Sequence, residues 1–179
     1  MKHWTLTAVA AAAVALVAAT ADAHGPTRQK VTETIEINAP AAKVWAVIGN
    51  FQDMSWHPAV TKGEGKGGNE INATRTLTLQ GGAVIPEETL EKYDAAGMNY
   101  SYRITKEDVK VLPVTNYTSR IAVTEEGGKA KVEWRGAFYR GFPNNDPPPE
   151  LNDEAAIKAI KGVYSSGLEA LKKKVESGS

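Results

Sequence analysis

The feature that most constrains the fold is one long amphipathic helix, which we predict over residues 151–175. Most of the chain before it alternates between apolar and polar residues, as strands do. A sheet with one apolar face needs a cover, and only this helix is long enough to provide it. Its apolar stripe recurs at helical spacing and consists of Ile157, Ile160, Tyr164, Gly167, Leu168, Leu171 and Val175.

The order of segments predicts an α+β fold, in which a curved antiparallel sheet of about six to seven strands wraps around the C-terminal helix. Two short helices are expected after the first strand, over 40–48 and over FQDMSW at 51–56. Residues 60–68 are rich in glycine and are either an edge strand or a loop. The other strands are expected from Val31 and over 71–80, 83–90, 98–105, 113–124 and 129–139.

Residues 1–23 have the pattern of a cleaved secretory signal peptide, with a basic start, an apolar run of small residues and an A-D-A cleavage site. The apolar run is shorter than the roughly 20 residues that span a bilayer, and nothing after Ala23 continues it, which argues against a retained membrane anchor. After cleavage we expect a flexible N-terminus over 24–30, a single domain over 31–176 and a disordered tail over 177–179, located in the periplasm.

The charge balance and the lack of cysteine exclude several classes of function. The chain carries 21 basic and 21 acidic residues, so it has no basic surplus for a phosphate backbone, and we expect no nucleic-acid partner. Without cysteine there are no disulfides, iron–sulfur centres or thiolate zinc sites. The chain also lacks G-x-S-x-G and H-E-x-x-H motifs, and we expect no cofactor.

Gly81-Gly82 indicates a two-residue hairpin turn, and the resulting register places Arg75 opposite Glu88 on the apolar face of the sheet. A buried ion pair is costly to desolvate, and a hydrocarbon pair would often serve stability equally well. The pair is therefore either a polar floor that orients a ligand in an apolar cavity or a structural pair near a hydrated sheet edge. A register slip of one residue would turn Arg75 outward. The inward positions of the return strand are expected to be Val84, Pro86, Glu88 and Leu90.

The same alternation points a set of aromatic residues toward the hollow that a curved sheet leaves beneath its covering helix. Buried tyrosine and tryptophan need partners for their polar ends and often line ligand cavities, although any one of them can also be ordinary core packing. The predicted ligand-binding residues are therefore Trp56, His57, Arg75, Glu88, Tyr100, Tyr102, Tyr117, Trp134, Phe138 and Tyr164.

Trp56, His57 and Pro58 stand in a row within FQDMSWHPAV. His57 is a candidate proton shuttle at the mouth of the cavity, because imidazole titrates near neutral pH; Glu88 and Asp53 are the other possible acid–base groups. The alternative, which we favour, is that His-Pro shapes an extended loop while Trp56 anchors it in the core. We therefore assign no catalytic residue and keep His57 as the candidate.

A copper site is the one metal hypothesis that the sequence suggests. Cleavage after Ala23 would leave His24 with a free α-amine, and this amine, the His24 ring and His57 could bind copper through nitrogen. The alternative, which we favour, is a flexible polar N-terminus that binds no metal.

Residues 144–149, NNDPPP, form a stiff, extended segment because of their prolines. The segment is either a docking loop or a rigid lead-in to the long helix. We favour the lead-in, with Asn152 or Asp153 near the helix cap.

Several segments together resemble the START-like SRPBCC superfamily, of polyketide cyclase/dehydrase and Bet v 1 type. They span nearly all of the predicted domain: APAAKVW, FQDMSWHP, RTLTLQGG with EETL, YSYRI and PVTNYTS. The resemblance implies a helix-grip fold with a cavity for an apolar or aromatic ligand. A narrower likeness is to the MxaD-type accessory proteins of periplasmic methanol oxidation, and it lies in HGPT, FYRG and LNDEAA.

The narrower resemblance implies a non-catalytic accessory or carrier protein that helps the periplasmic methanol dehydrogenase and its cytochrome c. The superfamily leaves a second function open, a small polyketide cyclase- or dehydratase-like enzyme acting on an aromatic or apolar substrate. Fold alone does not decide between the two. In either case we expect an apolar or aromatic small molecule as ligand, and no membrane attachment after signal cleavage.

Overall fold

The computed structural model describes residues 25–178, so the predicted signal peptide, His24 and Ser179 lie outside the described part of the chain. Short 3-10 turns at Gln80–Gly82 and Pro149–Leu151 complete the described secondary structure. The helices and strands are β1 Gln29–Ile37, α1 Ala41–Ile48, β2 Val60–Lys66, β3 Thr74–Leu79, β4 Val84–Asp94, β5 Asn99–Lys106, β6 Val114–Glu126, β7 Lys129–Arg140 and α2 Asp153–Ser177.

All seven strands form one antiparallel sheet in the order β1-β7-β6-β5-β4-β3-β2. The long helix α2 packs on the inner face of this sheet, where its contacts with β1 and β7 bury the predicted apolar stripe. The predicted helix-grip architecture is confirmed. Within residues 25–178 no helix is long and apolar enough to cross a membrane.

The ends of α2 follow from local chemistry. The side chain of Asn152 accepts a hydrogen bond from the Ala155 backbone N–H at 2.8 Å, which confirms the predicted cap. Asp153 and Glu154 in the first turn and Lys174 in the last complement the helix dipole. Residues buried along the helix are Ala156, Ile160, Tyr164, Gly167, Leu168, Leu171 and Val175; Ile157 lies half-buried at the border of the stripe.

The second of the two predicted short helices is not formed. After α1 the chain makes consecutive turns instead, and the Asp53 carboxylate accepts a hydrogen bond from the Ser55 N–H at 2.8 Å. Such a local side-chain bond gives the backbone an alternative to a helical turn. Residues 60–66 form the edge strand β2. Strand β1 begins at Gln29, within the segment that was expected to be flexible. Helix α2 reaches Ser177, the first residue of the expected tail.

The β3–β4 hairpin differs from the prediction in its turn and in a β-bulge, and the two differences in register cancel at Arg75 and Glu88. The turn has three residues, Gln80–Gly82, closed by a hydrogen bond from the Leu79 N–H to the Ala83 carbonyl at 2.7 Å. A β-bulge between the Arg75 and Leu77 pairings then restores the register, so Arg75 does lie opposite Glu88. Nearer the turn the prediction is wrong.

Because the bulge falls at Pro86, Ile85 rather than Val84 points inward on β4. Ile85 is 8% exposed, whereas Val84 is 36% exposed. Proline has no N–H to donate to the ladder and is therefore tolerated at a bulge. The Thr76 hydroxyl donates to the Pro86 carbonyl at 2.8 Å across this irregularity.

Candidate functional site

A cavity of about 120 Å³ lies between the inner face of the sheet and α2. Strands β2 to β7, the loop after α1, the loop before β6 and α2 all contribute to its wall. The apolar lining residues are Met54, Ala59, Val60, Leu77, Leu79, Ile85, Ile104, Val111, Leu112, Ile160 and Val163. The remaining lining residues carry polar atoms and are His57, Arg75, Glu88, Tyr102, Tyr117 and Trp134.

An ion pair forms the polar part of this wall. Arg75 Nε donates to Glu88 Oε2 at 2.6 Å, and the two side chains are only 1% and 7% exposed. A second nitrogen, Nη1, donates to the Phe51 carbonyl oxygen. The guanidinium carbon lies 4.3 Å from the centroid of the Phe51 ring and 4.9 Å from that of the Tyr102 ring. Hydrogen bonds and two aromatic faces therefore hold Arg75 in one orientation.

Electrostatics keep this arginine charged. Burial acts to lower the pKa of Arg75, but the Glu88 carboxylate, with smaller contributions from Tyr100 and Tyr102, raises that pKa above its ordinary value. The burial of both side chains favours a pair inside the fold over the sequence alternative of a pair at a hydrated sheet edge. Within residues 25–178 the third nitrogen, Nη2, is buried without a hydrogen-bond partner.

A network of hydroxyl groups joins the sheet to α2 beside the ion pair. The hydroxyls of Tyr117 and Tyr164 lie 2.8 Å apart, and Ser119 Oγ lies 3.1 Å from the Tyr164 hydroxyl. Trp134 Nε1 donates to Ser119 Oγ at 2.9 Å, and the Trp134 and Tyr164 rings stack at 4.5 Å. Burial raises the pKa of Tyr102, Tyr117 and Tyr164, so these hydroxyls stay neutral.

Sequence reasoning missed Ser119, although its position carried a signal. It alternates with Tyr117 and Ile121 on the inward face of β6, where a small polar residue is unexpected. Gly136, on the neighbouring strand, leaves room for the Tyr164 hydroxyl, since a Cβ built there would lie 2.1 Å from that oxygen.

His57 lines the cavity, but both of its ring nitrogens are occupied. The Ala59 N–H donates to Nδ1 at 3.2 Å, so Nδ1 is the acceptor and Nε2 carries the hydrogen that it donates to the Val163 carbonyl at 3.0 Å. Burial lowers the pKa of His57, the Val163 hydrogen bond partly opposes this, and the Arg75 charge adds to the lowering. The neutral ring therefore ties the loop after α1 to α2, which supports the loop-shaping interpretation.

Four of the predicted ligand-binding residues surround the cavity without lining it: Trp56, Tyr100, Phe138 and Tyr164. Trp56 donates from Nε1 to the Asp53 carbonyl at 3.1 Å and anchors the loop, as expected. Phe138 stacks on Tyr117 at 6.4 Å, and Tyr100 packs edge-on against Phe51 at 6.0 Å. These residues support the wall from behind.

Val111 and Leu112 line the cavity although they lie in a loop. Two adjacent apolar residues in a segment without strand alternation were the only sequence signal for this part of the wall. Sequence reasoning did not include them because it selected cavity residues by the alternation of strands and by the His-Pro loop, and this segment has neither.

The two other sequence hypotheses concern the metal and the proline segment. Within the described chain, no group of three or more His, Asp or Glu side chains could hold a metal ion. His24 lies outside it, so the copper hypothesis and the favoured alternative of an N-terminus that binds no metal are both untested. The proline segment is fastened by Arg140, which donates to the carbonyls of Phe142 and Asn144 at 2.9 Å each and pairs with Asp153 at 3.1 Å. This attachment suits a rigid lead-in to α2.

Residues 28–176 match the family described as polyketide cyclase / dehydrase and lipid transport. The chain belongs to this family. Among solved structures, an uncharacterised protein of Bacillus thuringiensis is 32% identical, with a TM-score of 0.68 over 82% of this chain and 98% of the other. The protein XoxI of Bacillus cereus is also 32% identical, with a TM-score of 0.68 over 82% and 94%. A search of curated proteins found no match.

Membership of the polyketide cyclase / dehydrase family confirms the resemblance to the START-like superfamily and with it a ligand-binding protein. Norcoclaurine synthase of Thalictrum flavum, solved in complex with dopamine and hydroxybenzaldehyde, is 16% identical, with a TM-score of 0.62 over 86% of this chain and 90% of the other. At this identity the likeness shows a shared fold alone. The family includes both enzymes and lipid transport in its description, so the choice between them rests on the cavity itself.

Proposed function

We propose that this protein is a non-catalytic periplasmic accessory protein that holds a small, mainly apolar molecule in the cavity beneath α2. The observation that carries the proposal is a cavity with an apolar wall and one buried ion pair, Arg75–Glu88. Both charges lost most of their hydration on burial, which is costly. Apolar residues of similar size would stabilise the fold at least as well, so a role in orienting a ligand accounts for the pair better than stability does.

The engagement of the possible acid–base groups supports binding rather than catalysis. His57 has no free ring nitrogen, and the cavity tyrosines are neutral hydroxyls whose pKa values burial raises. One observation favours the cyclase- or dehydratase-like alternative: Glu88 and Tyr102 line the same cavity and could exchange a proton with an aromatic or apolar substrate. Conversion of such a substrate by the wild-type protein, and not by Glu88→Gln, would establish the enzyme.

The setting of the proposed function is the periplasm, and its proposed partners are methanol dehydrogenase and cytochrome c. The support is the signal-peptide pattern of residues 1–23 and the likeness of HGPT, FYRG and LNDEAA to MxaD-type accessory proteins. Co-purification of both partners with the protein from periplasm is the expected result. Partner binding should persist when the proline segment is shortened, because Arg140 fastens that segment as a lead-in to α2.

The decisive experiment is native mass spectrometry of the protein purified gently from its own periplasm. We expect a reproducible added mass that is lost on denaturation. Leu77→Phe, which fills the cavity wall, should abolish the adduct, whereas Ile71→Phe, at a site that is 53% exposed, should retain it. A bare chain mass in the wild type, or an adduct that survives in Leu77→Phe, would contradict a carrier that uses this cavity.

A further inference from the structure

The ion pair offers one donor and one acceptor that no other described residue uses. Of the three guanidinium nitrogens of Arg75, only Nη2 lacks an acceptor within residues 25–178. Glu88 accepts its hydrogen bond at Oε2, and within the same residues its other oxygen, Oε1, accepts none. Nη2 is buried, and a buried donor without a partner is costly, so a ligand that accepts from Nη2 and also donates to Oε1 gains more than one that contacts neither atom.

The charge of the pair restricts what can bind there. Arg75 and Glu88 carry opposite charges 2.6 Å apart, so the wall presents no net charge to a ligand. An anionic ligand would approach the Glu88 carboxylate and a cationic ligand the Arg75 guanidinium. Either would also have to leave water without a counter-ion, which is strongly unfavourable in an apolar cavity. The ligand is therefore uncharged.

The size of the cavity sets a second limit. Its volume is about 120 Å³, and an apolar cavity of about 150 Å³ accommodates one benzene molecule. A lipid chain or a polyketide of several rings does not fit without large movement of the wall. The ligand is therefore no larger than a single ring.

We propose that the cavity selects a small uncharged molecule that carries a hydroxyl group, an alcohol or phenol of at most one ring. Its hydroxyl oxygen accepts from Arg75 Nη2 and its hydroxyl hydrogen is donated to Glu88 Oε1, while the hydrocarbon part contacts Leu77, Ile85 and Ile104. This inference rests on the proposed function and adds the chemical class of the ligand.

Phenol and toluene provide the test, because they have the same number of heavy atoms and differ in the hydroxyl. In a purely apolar cavity the hydroxyl would find no partner, and phenol would bind about tenfold or more weakly than toluene. We expect the wild-type protein to bind phenol at least as tightly as toluene, measured by calorimetry near pH 7, where phenol is uncharged. Benzoate should not displace phenol. Tighter binding of toluene, or displacement by benzoate, would overturn the inference.

The matched variant is Arg75→Met/Glu88→Leu, which removes both charges together. We expect it to retain toluene and to shift the phenol-to-toluene ratio by about tenfold toward toluene. An unchanged ratio would overturn the assignment of the hydroxyl to this pair. Should the variant fail to fold, the wild-type order of affinities decides, together with the shift of the Arg75 side-chain nitrogen resonances on phenol binding.

The two levels of the proposal fail differently. If toluene binds and phenol does not, the cavity is a ligand site and only the hydroxyl assignment is wrong. If neither compound binds, while the protein from its own periplasm carries an added mass that Leu77→Phe removes, the size and class of the ligand are wrong but the carrier function stands. If neither binds and no added mass is found, the proposed function itself is overturned.

Discussion

Removing one member of the Arg75–Glu88 pair is predicted to destabilise the protein far more than removing both. In Arg75→Met the Glu88 side chain stays buried without its cation, at 7% exposure; in Glu88→Leu the guanidinium stays buried without its anion, at 1% exposure. Breaking a buried pair from one side costs about 3–5 kcal/mol. Each kcal/mol lowers the Tm of a domain of this size by about 2–4 °C, so each single variant should melt roughly 6–20 °C below the wild type.

The double variant Arg75→Met/Glu88→Leu leaves no unpaired charge. Its main remaining cost is the Phe51 carbonyl, which loses the Nη1 donor. A buried acceptor without a partner costs about 1–3 kcal/mol, so the double variant should be more stable than either single variant. The loss of unfolding free energy in the double variant should therefore be smaller than the sum of the losses in the two single variants.

The assay is a double-mutant cycle on the free energy of unfolding in urea, with Tm followed by circular dichroism. The matched control is the pair Lys62–Glu64, which is bonded at 2.9 Å with side chains 62% and 63% exposed. Its removal should change stability little. The reasoning is refuted if each single variant at Arg75 or Glu88 costs less than about 1 kcal/mol and the two effects add. That result would mean that water reaches the pair and that it is no dry polar wall.

Three further predictions concern the parts that hold α2 to the sheet. Because folding lowers the pKa of His57, the stability that its neutral ring contributes is complete above about pH 6.5. Below that value it falls, by up to about 1.4 kcal/mol per pH unit. Between pH 7.5 and 5.5, His57→Gln should therefore lose less unfolding free energy than the wild type. Equal losses in the two proteins would contradict this. Gly167→Ala should cost about 1–3 kcal/mol, because its Cβ would lie 2.5 Å from the His57 ring and 2.9 Å from Trp134. Its control, Gly162→Ala on the same helix with no atom within 4 Å, should gain about 0.5–1 kcal/mol, and a gain at both positions would show that His57 is not packed against α2. Gly136→Ala should destabilise similarly to Gly167→Ala by displacing the Tyr164 hydroxyl, and unchanged tyrosine fluorescence and Tm would argue against the hydroxyl network.

The fold was largely predictable because its two main patterns are long. The stripe on α2 and the alternation along β5 to β7 each repeat over many residues, so an error at one residue does not change the assignment. Where the pattern was short, it failed. The predicted helix over 51–56 does not form, because the Asp53 side chain stabilises a turn there instead. The inward positions at the start of β4 are shifted by one residue because of a bulge at Pro86.

The pairing of Arg75 with Glu88 was predicted correctly from an incomplete argument. A two-residue turn and a regular ladder would place them opposite one another, and so does the three-residue turn combined with the bulge. The membership of the cavity wall was harder to predict. Face alternation shows that Tyr100 and Tyr102 both point inward. Only Tyr102 lines the cavity, whereas Tyr100 packs edge-on against Phe51. That distinction depends on where the sheet curves and where α2 crosses it.

Recognition is concentrated at one point because most other polar groups around the cavity are already satisfied. The hydroxyls of Tyr117, Tyr164 and Ser119 bond to one another, and Ser119 also accepts from Trp134. His57 uses both nitrogens on backbone atoms. Of the groups that line the cavity within the described chain, Arg75 Nη2 and Glu88 Oε1 have no hydrogen-bond partner, and the Tyr102 hydroxyl has only a 3.5 Å contact with that of Tyr117. A ligand that binds here is therefore oriented by Arg75 and Glu88, and the apolar wall sets only its size.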